Sequence, residues 1–144
     1  RTVNRLAADA GGSLMVSTSR RTGSAADALL SVISVPAHVY RWGDSGDNPY
    51  RGYLATADAI VVSGDSVSMC SEACGGKQPV YIFAPDGSVV EKHARLHREL
   101  YAAGLARPLD DKAFESWSHE PLNAAFDIVA EINRRLELPP PPAR

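Results

Sequence analysis

Short apolar runs alternate with helical stretches along most of this 144-residue chain. Runs of four to six mostly apolar residues, bounded by Gly, Pro or polar residues, are typical of buried strands. Strands are predicted over residues 13–17, 37–42, 59–62 and 79–83, with a short edge strand over 105–108. Helices are predicted over residues 25–34, 50–56, 67–76 and 91–103. Strands alternating with helices in this way predict a parallel sheet.

The helix ends carry recognisable signals. Ser24 and Asp27 have capping-box spacing at the start of the helix over 25–34, and Gly104 follows the helix over 91–103. The last helix is predicted from an apolar stripe suited to docking, formed by Leu122, Phe126, Val129, Ile132 and Leu136. We therefore predict one Rossmann-like domain over residues 1–138 and a Pro-rich tail over 139–144. Its class is α/β, with a doubly wound, mostly parallel sheet and helices on both faces.

Ligands of such sheets bind beyond the carboxyl ends of the strands. The loops expected there cover residues 17–23, 42–49, 63–68 and 84–88, and they are rich in Ser, Gly, Asp and Arg. The agreement between topology and composition predicts a binding cleft at this edge.

The most informative of these loops follows the apolar run 59–62 and leads into a helix. It carries Ser63, Asp65, Ser66 and Ser68, with Glu72 one turn further on. Amide groups at a helix start favour an anion such as phosphate, and the spacing of Asp65, Ser68 and Glu72 places them on one helix face. This pattern predicts a site for a phosphorylated sugar. The alternative is a helix capped by Asp65 or Ser66, with Glu72 in solvent.

Two further loops are candidates for the same cleft. Ser19, Arg20 and Arg21 follow the first strand, and paired arginines can neutralise a diphosphate through forked hydrogen bonds. The alternative is a pair of surface arginines. Asn48 stands before Pro49 and Tyr50 in a rigid turn that can contact a base or sugar, and the alternative there is a capped turn with Tyr50 packed inward.

Composition and charge narrow the classes of function. The net charge of −2 gives no reason to expect a nucleic-acid binder or an anionic-membrane binder. No apolar run approaches the roughly 20 residues of a membrane-spanning helix, and we expect a cytoplasmic protein. Because the chain opens on Arg1 inside helical sequence, we interpret it as part of a longer protein.

No cofactor or metal is predicted. The dinucleotide fingerprint and the phosphate loop of nucleotide triphosphatases follow none of the predicted strands. Cys70 and Cys74 have neither redox nor zinc spacing, so we interpret them as small apolar residues on a buried helix face. His93 and His97 lie four apart without an evident third ligand, which favours a solvated basic face over a metal site.

Three stretches together resemble the elongated-mitochondria (mitochondrial fission) family of plants and bacteria. They cover residues 12–22, 46–50 and 57–73, and the likeness continues through 77–83 and 95–97. That family is similar in turn to two-domain glycosyltransferases of the GT-B architecture, whose C-terminal domain grips a sugar nucleotide. The resemblance implies that Ser66 and Ser68 face phosphates, that Arg20 neutralises them and that Glu72 takes the ribose or sugar hydroxyls.

Two functions remain open from the sequence. One is the nucleotide-sugar half of a glycosyltransferase-like protein, which would need its own N-terminal domain and would be inactive alone. The other is a non-catalytic interaction domain that kept the fold. Plant members of the family are associated with recruiting the mitochondrial division machinery, a role that need not involve catalysis. Bacterial members of the family are often described as sugar-nucleotide epimerases, and the missing dinucleotide fingerprint argues against that activity.

Overall fold

A computed structural model describes residues 1–137 of the chain. The helices are α1 (Thr2–Asp9), α2 (Ala25–Leu30), α3 (Tyr50–Thr56), α4 (Val67–Ala73), α5 (Glu91–Ala102) and α6 (Ala124–Arg135). The strands are β1 (Leu14–Ser17), β2 (Ala37–Tyr40), β3 (Ile60–Ser63), β4 (Val80–Phe83) and β5 (Arg107–Pro108). The predicted alternation of strands and helices is confirmed. The predicted tail over 139–144 and residue 138 of the predicted domain lie outside the described residues.

Two parallel sheets contain the strands of the described residues. One pairs β1 with β2, from Leu14 opposite Ala37 to Ser17 opposite Tyr40. The other has the order β3-β4-β5, with Ile60 opposite Val80 and Tyr81 opposite Arg107. The α/β class with parallel strands is therefore confirmed. No ladder joins β1 to β3 within residues 1–137, so a single doubly wound sheet stays a prediction.

The hydrophobic core lies around the β3-β4-β5 sheet. Its fully buried members include Val80 and Ile82 on β4, with Cys70 on α4 and Cys74 just after that helix. In contrast, neither β1 nor β2 contains a fully buried residue. Much of the hydrophobic stabilisation is thus concentrated in the second sheet, because burial of apolar surface is what stabilises a sheet against unfolding.

The predicted signals at two helix ends can be compared with the structure. The expected capping box of α2 is wrong: Ser24 has helical backbone angles and its side chain makes no capping hydrogen bond. The Asp27 carboxylate instead accepts a hydrogen bond from Arg41 Nη1 at 2.6 Å. The predicted end of α5 is confirmed, since Gly104 has a φ of +70° just after the helix, a conformation that glycine adopts at little cost.

The last helix is present, with Asn123 as its N-cap, yet its apolar stripe is largely uncovered. The exposed fraction is 44% for Val129 and 65% for Leu136, whereas Leu122 packs against the core. The docked stripe expected from periodicity is therefore not observed within residues 1–137. None of the helices in that range combines the length and apolar character that a membrane-spanning helix needs.

Candidate functional site

An open cleft lies where the loops after β1 and β3 approach each other, at the carboxyl ends of the strands. Its volume is about 320 Å³. The lining residues are Ser19, Arg20, Arg21, Trp42, Ser66 and Ser68. Four of them are sequence-predicted site residues, namely Ser19, Arg20, Ser66 and Ser68. These residues are distant in sequence but all follow the carboxyl ends of parallel strands, where such folds bind ligands, although β1 and β3 belong to separate sheets.

The β3–α4 loop supplies hydroxyl groups to the cleft. Ser66 is the N-cap of α4, and its Oγ accepts a hydrogen bond from the Met69 amide at 3.5 Å. The Ser68 hydroxyl lies 3.4 Å from the Ser66 hydroxyl. The capped-helix alternative is therefore confirmed for Ser66, and the same serine also lines the cleft.

A buried histidine packs against this loop on the side of the core. His97 Nε2 lies 3.0 Å from the Gly64 carbonyl oxygen and 4.0 Å from Cys70 Sγ. Burial lowers the pKa of His97, although the hydrogen bond to Gly64 opposes that shift. The expected solvated basic face is therefore wrong for His97, which is 3% exposed. Burial favours the neutral ring, because removal from water disfavours the charged form.

The two arginines of the β1–α2 loop differ in their partners. Arg21 Nη2 lies 3.6 Å from Asp65 Oδ2, in an ion pair whose side chains are about half exposed. Arg20 makes no ion pair or hydrogen bond with any residue of the described chain. Asp65 is thus placed beside the cleft through Arg21, and Arg20 is a free cation in its wall.

Glu72 lies next to Tyr50 and outside the cleft lining. Burial, the Glu72 charge and a hydrogen bond to that carboxylate together raise the pKa of Tyr50 to about 12. The phenol therefore remains protonated and serves as a donor to Glu72. This contact brings the start of α3 against α4, so the loop after β2 approaches the same region as the other two.

Two predicted site residues have mainly local roles. Asn48 Oδ1 accepts a hydrogen bond from the Tyr50 amide at 3.0 Å, which confirms the capped-turn alternative. Ser63 ends β3, and its carbonyl oxygen lies 3.8 Å from Cys70 Sγ. Within residues 1–137, neither side chain lines the cleft. The predicted interpretation of Cys70 and Cys74 is confirmed, because both are free and fully buried and burial raises the pKa of each thiol to about 11.

A smaller cleft of about 210 Å³ adjoins the first and shares Ser19, Arg20 and Trp42 with it. Trp42 is 61% exposed although it is large and apolar. Sequence reasoning did not single out Trp42 as a site residue. Its position two residues after the end of β2, in a loop already expected at the ligand edge, was the available signal.

Comparison with known proteins decides the family. A family model described as Mitochondrial fission ELM1 matches residues 1–136. The chain belongs to this family. It is 40% identical over 100 residues to the Mitochondrial fission protein ELM1 of Arabidopsis thaliana, covering 68% of this chain and 23% of the relative. It is 35% identical over 94 residues to the Uncharacterized protein RP120 of Rickettsia prowazekii (strain Madrid E), covering 64% of this chain and 27% of the relative.

This member of the Mitochondrial fission ELM1 family therefore spans about a quarter of the length of the curated relatives it matches. The resemblance predicted from the sequence motifs is confirmed at the level of the family. No solved structure matches the chain. Within residues 1–137, no group of three or more His, Cys, Asp or Glu side chains is arranged to hold a metal ion.

Proposed function

We propose that the cleft binds the diphosphate of a sugar nucleotide, in a glycosyltransferase-like member of the Mitochondrial fission ELM1 family. The observation that carries the proposal is Arg20, an unpaired cation that lines both clefts. Its side chain is exposed and has no carboxylate partner among residues 1–137, so the guanidinium in the cleft wall offers a fork of donors to a phosphate.

The neighbouring groups suit the same ligand. Ser66 and Ser68 supply hydroxyl groups across the cleft from Arg20, and hydroxyls donate to phosphate oxygens. Arg21 is held by Asp65 only at 3.6 Å and in solvent, an arrangement worth about 0–1 kcal/mol. A doubly charged diphosphate therefore competes well with Asp65 for Arg21. Its binding would release Arg21 from Asp65, so that both Arg20 and Arg21 contact the ligand.

Glu72 supplies an acceptor for sugar hydroxyls in this proposal. Glu72 is exposed, and its carboxylate lies beside the Tyr50 phenol, whose pKa it helps to raise. An oriented carboxylate accepts from the vicinal hydroxyls of a ribose or hexose. Asn48, which holds the turn before Tyr50, acts through that turn.

If the protein is a transferase, the same groups assist departure of the nucleotide. Negative charge develops on the leaving diphosphate, and preorganised arginines and hydroxyls stabilise it. The base that activates an acceptor is proposed to come from a separate N-terminal domain. We accordingly propose that this domain alone binds the donor without turning it over.

Calorimetric titration of the natural full-length protein with UDP-, GDP- and ADP-sugars tests the proposal. Loss of a hydrogen bond to a charged group costs about 1.5–3 kcal/mol, so Arg20→Ala is expected to weaken binding about 10- to 100-fold. Arg98→Ala is the matched control, because Arg98 pairs with Glu91 on α5 and lies outside both clefts. Absence of binding by the wild type to all three sugar nucleotides would refute the proposal and favour the interaction domain.

A further inference from the structure

Trp42 stands between the two clefts on a backbone that is held in place. Its amide donates to Thr18 Oγ1 at 2.8 Å, and Thr18 is itself buried. The Arg41 amide donates to Asp44 Oδ2 at 2.8 Å, and the Asp44 amide donates to the Arg41 carbonyl at 3.0 Å. Gly43 completes this turn with a φ of +93°. The indole is therefore presented to solvent from a fixed turn.

Among residues 1–137, the indole has no partner that would explain its position. Within residues 1–137 it makes no hydrogen bond and no ring contact, and its exposed fraction is 61%. Trp117, the other tryptophan, instead lies under the Arg107 guanidinium and contacts the Tyr81 ring. A large aromatic ring that projects from a held backbone and is left mostly uncovered in a cleft wall is available for a planar ligand.

The smaller cleft has polar groups beside this ring. Arg41 and Asp27 line it as an ion pair at 2.6 Å, and the Asp27 side chain is largely exposed. A guanidinium donates and a carboxylate accepts, which together match the mixed donor and acceptor edge of a nucleobase. The larger cleft, in contrast, offers the cations and hydroxyls that suit a diphosphate.

We propose that Trp42 stacks on the base of a nucleoside diphosphate, with the base in the smaller cleft and the diphosphate in the larger one. The inference rests on the proposed function and adds a base subsite to it. Arg20 lines both clefts, so it stands between the base and the diphosphate and can contact the phosphate nearest the ribose. Stacking on an aromatic side chain tolerates different bases, and selectivity among them falls to Asp27 and Arg41.

The test compares inorganic pyrophosphate, UDP, ADP and UDP-glucose as ligands of the natural full-length protein. Wild type is expected to bind UDP or ADP more tightly than pyrophosphate. Trp42→Leu is expected to weaken nucleotide binding about 10-fold, the loss typical of one stacked base, while pyrophosphate binding stays unchanged. Trp42→Phe should restore part of the preference, since a phenyl ring also stacks. Arg20→Ala should weaken all four ligands.

Each contrary result has a distinct meaning. If pyrophosphate binds as tightly as UDP and ADP, or Trp42→Leu weakens all ligands equally, the base subsite is refuted and the diphosphate site survives. If Trp42→Leu weakens UDP-glucose but leaves UDP unchanged, the ring faces the sugar and the base assignment is wrong. If none of the four ligands binds, the base subsite and the proposed function fail together. Circular dichroism of each variant checks that the fold is retained.

Discussion

The contact between Gly64 and His97 gives a sharp test of the loop that carries the candidate site. A Cβ atom added at Gly64 would lie 2.5 Å from His97 Cε1 and 2.9 Å from Ala84 Cβ. Carbon atoms pack best about 3.5–4.0 Å apart, so both distances imply overlap. The φ of Gly64 lies outside the left-handed region. The effect of Gly64→Ala is therefore expected from crowding alone.

The magnitude follows from three contributions. Extra volume in a packed core costs about 1–3 kcal/mol. Displacement of His97 also weakens its hydrogen bond to the Gly64 carbonyl, worth about 1 kcal/mol. Replacing glycine restricts the unfolded chain and returns about 0.4–1 kcal/mol. We expect Gly64→Ala to lower the free energy of unfolding by about 2 kcal/mol, with little change in the denaturant slope.

Urea unfolding followed by circular dichroism measures this change. Gly52→Ala is the matched control, because Gly52 lies inside α3 and a Cβ there meets nothing within 4 Å. Alanine in an open helical position should stabilise the protein by about 0.5–1 kcal/mol. The double variant Gly64→Ala with His97→Ala should lose less than the sum of the two single changes, since the smaller side chain leaves room for the new methyl group. If Gly64→Ala unfolds within about 0.5 kcal/mol of wild type, the argument for a locked loop is wrong.

Two further predictions concern pH. The pKa of Tyr50 is about 12 partly because Glu72 is charged, so Glu72→Gln should lower it in a spectrophotometric titration. Tyr50→Phe identifies the transition that belongs to Tyr50. If Glu72→Gln leaves that transition unmoved, the contact between the two side chains is contradicted. The pKa of His97 lies below its ordinary 6.5, so folding favours the neutral ring. The folded protein should therefore have its full stability above about pH 6.5 and lose part of it as the pH falls and the His97 ring becomes protonated. Urea unfolding at several pH values should show this decline in wild type and a flatter profile in His97→Asn, whereas equal profiles would contradict it.

Much of the fold could be predicted because periodicity and burial agree in its central part. The strands β3 and β4 are short apolar runs and form the buried sheet, and the end of α5 at Gly104 follows from glycine's conformational freedom. The Ser24 capping box was wrong because Ser24 has helical backbone angles and Asp27 pairs with Arg41, a residue just beyond the next strand. A local pattern cannot reveal a competitor that only tertiary structure brings close.

The candidate site could be predicted where its residues follow the ends of strands. It could be predicted less well where side-chain packing determines which residues are buried or exposed. Ser19, Arg20, Ser66 and Ser68 meet in one cleft, as expected for residues that follow the carboxyl ends of parallel strands, although β1 and β3 lie in separate sheets. His97 was misinterpreted because its neighbours on α5 are charged, and nothing in that pattern indicates that one position turns inward beneath Gly64. The high exposure of Trp42 likewise depends on tertiary structure. Tryptophan is on average one of the more buried residue types, so the sequence alone did not indicate an exposed ring.

The cleft lies between two sheets that no ladder joins in the described chain. Side chains connect segments on the two sides: Arg21 pairs with Asp65 across the two loops, and the Thr56 hydroxyl on α3 lies 3.8 Å from Met15 Sδ on β1. Exposed contacts of this kind contribute little each. A ligand that touches Arg20 on one side and Ser66 on the other would therefore add substantially to the connection between the sheets, because binding free energy adds to the stability of the form that binds. Because the cleft is open between the two sheets, a ligand that fills it would contact both of them.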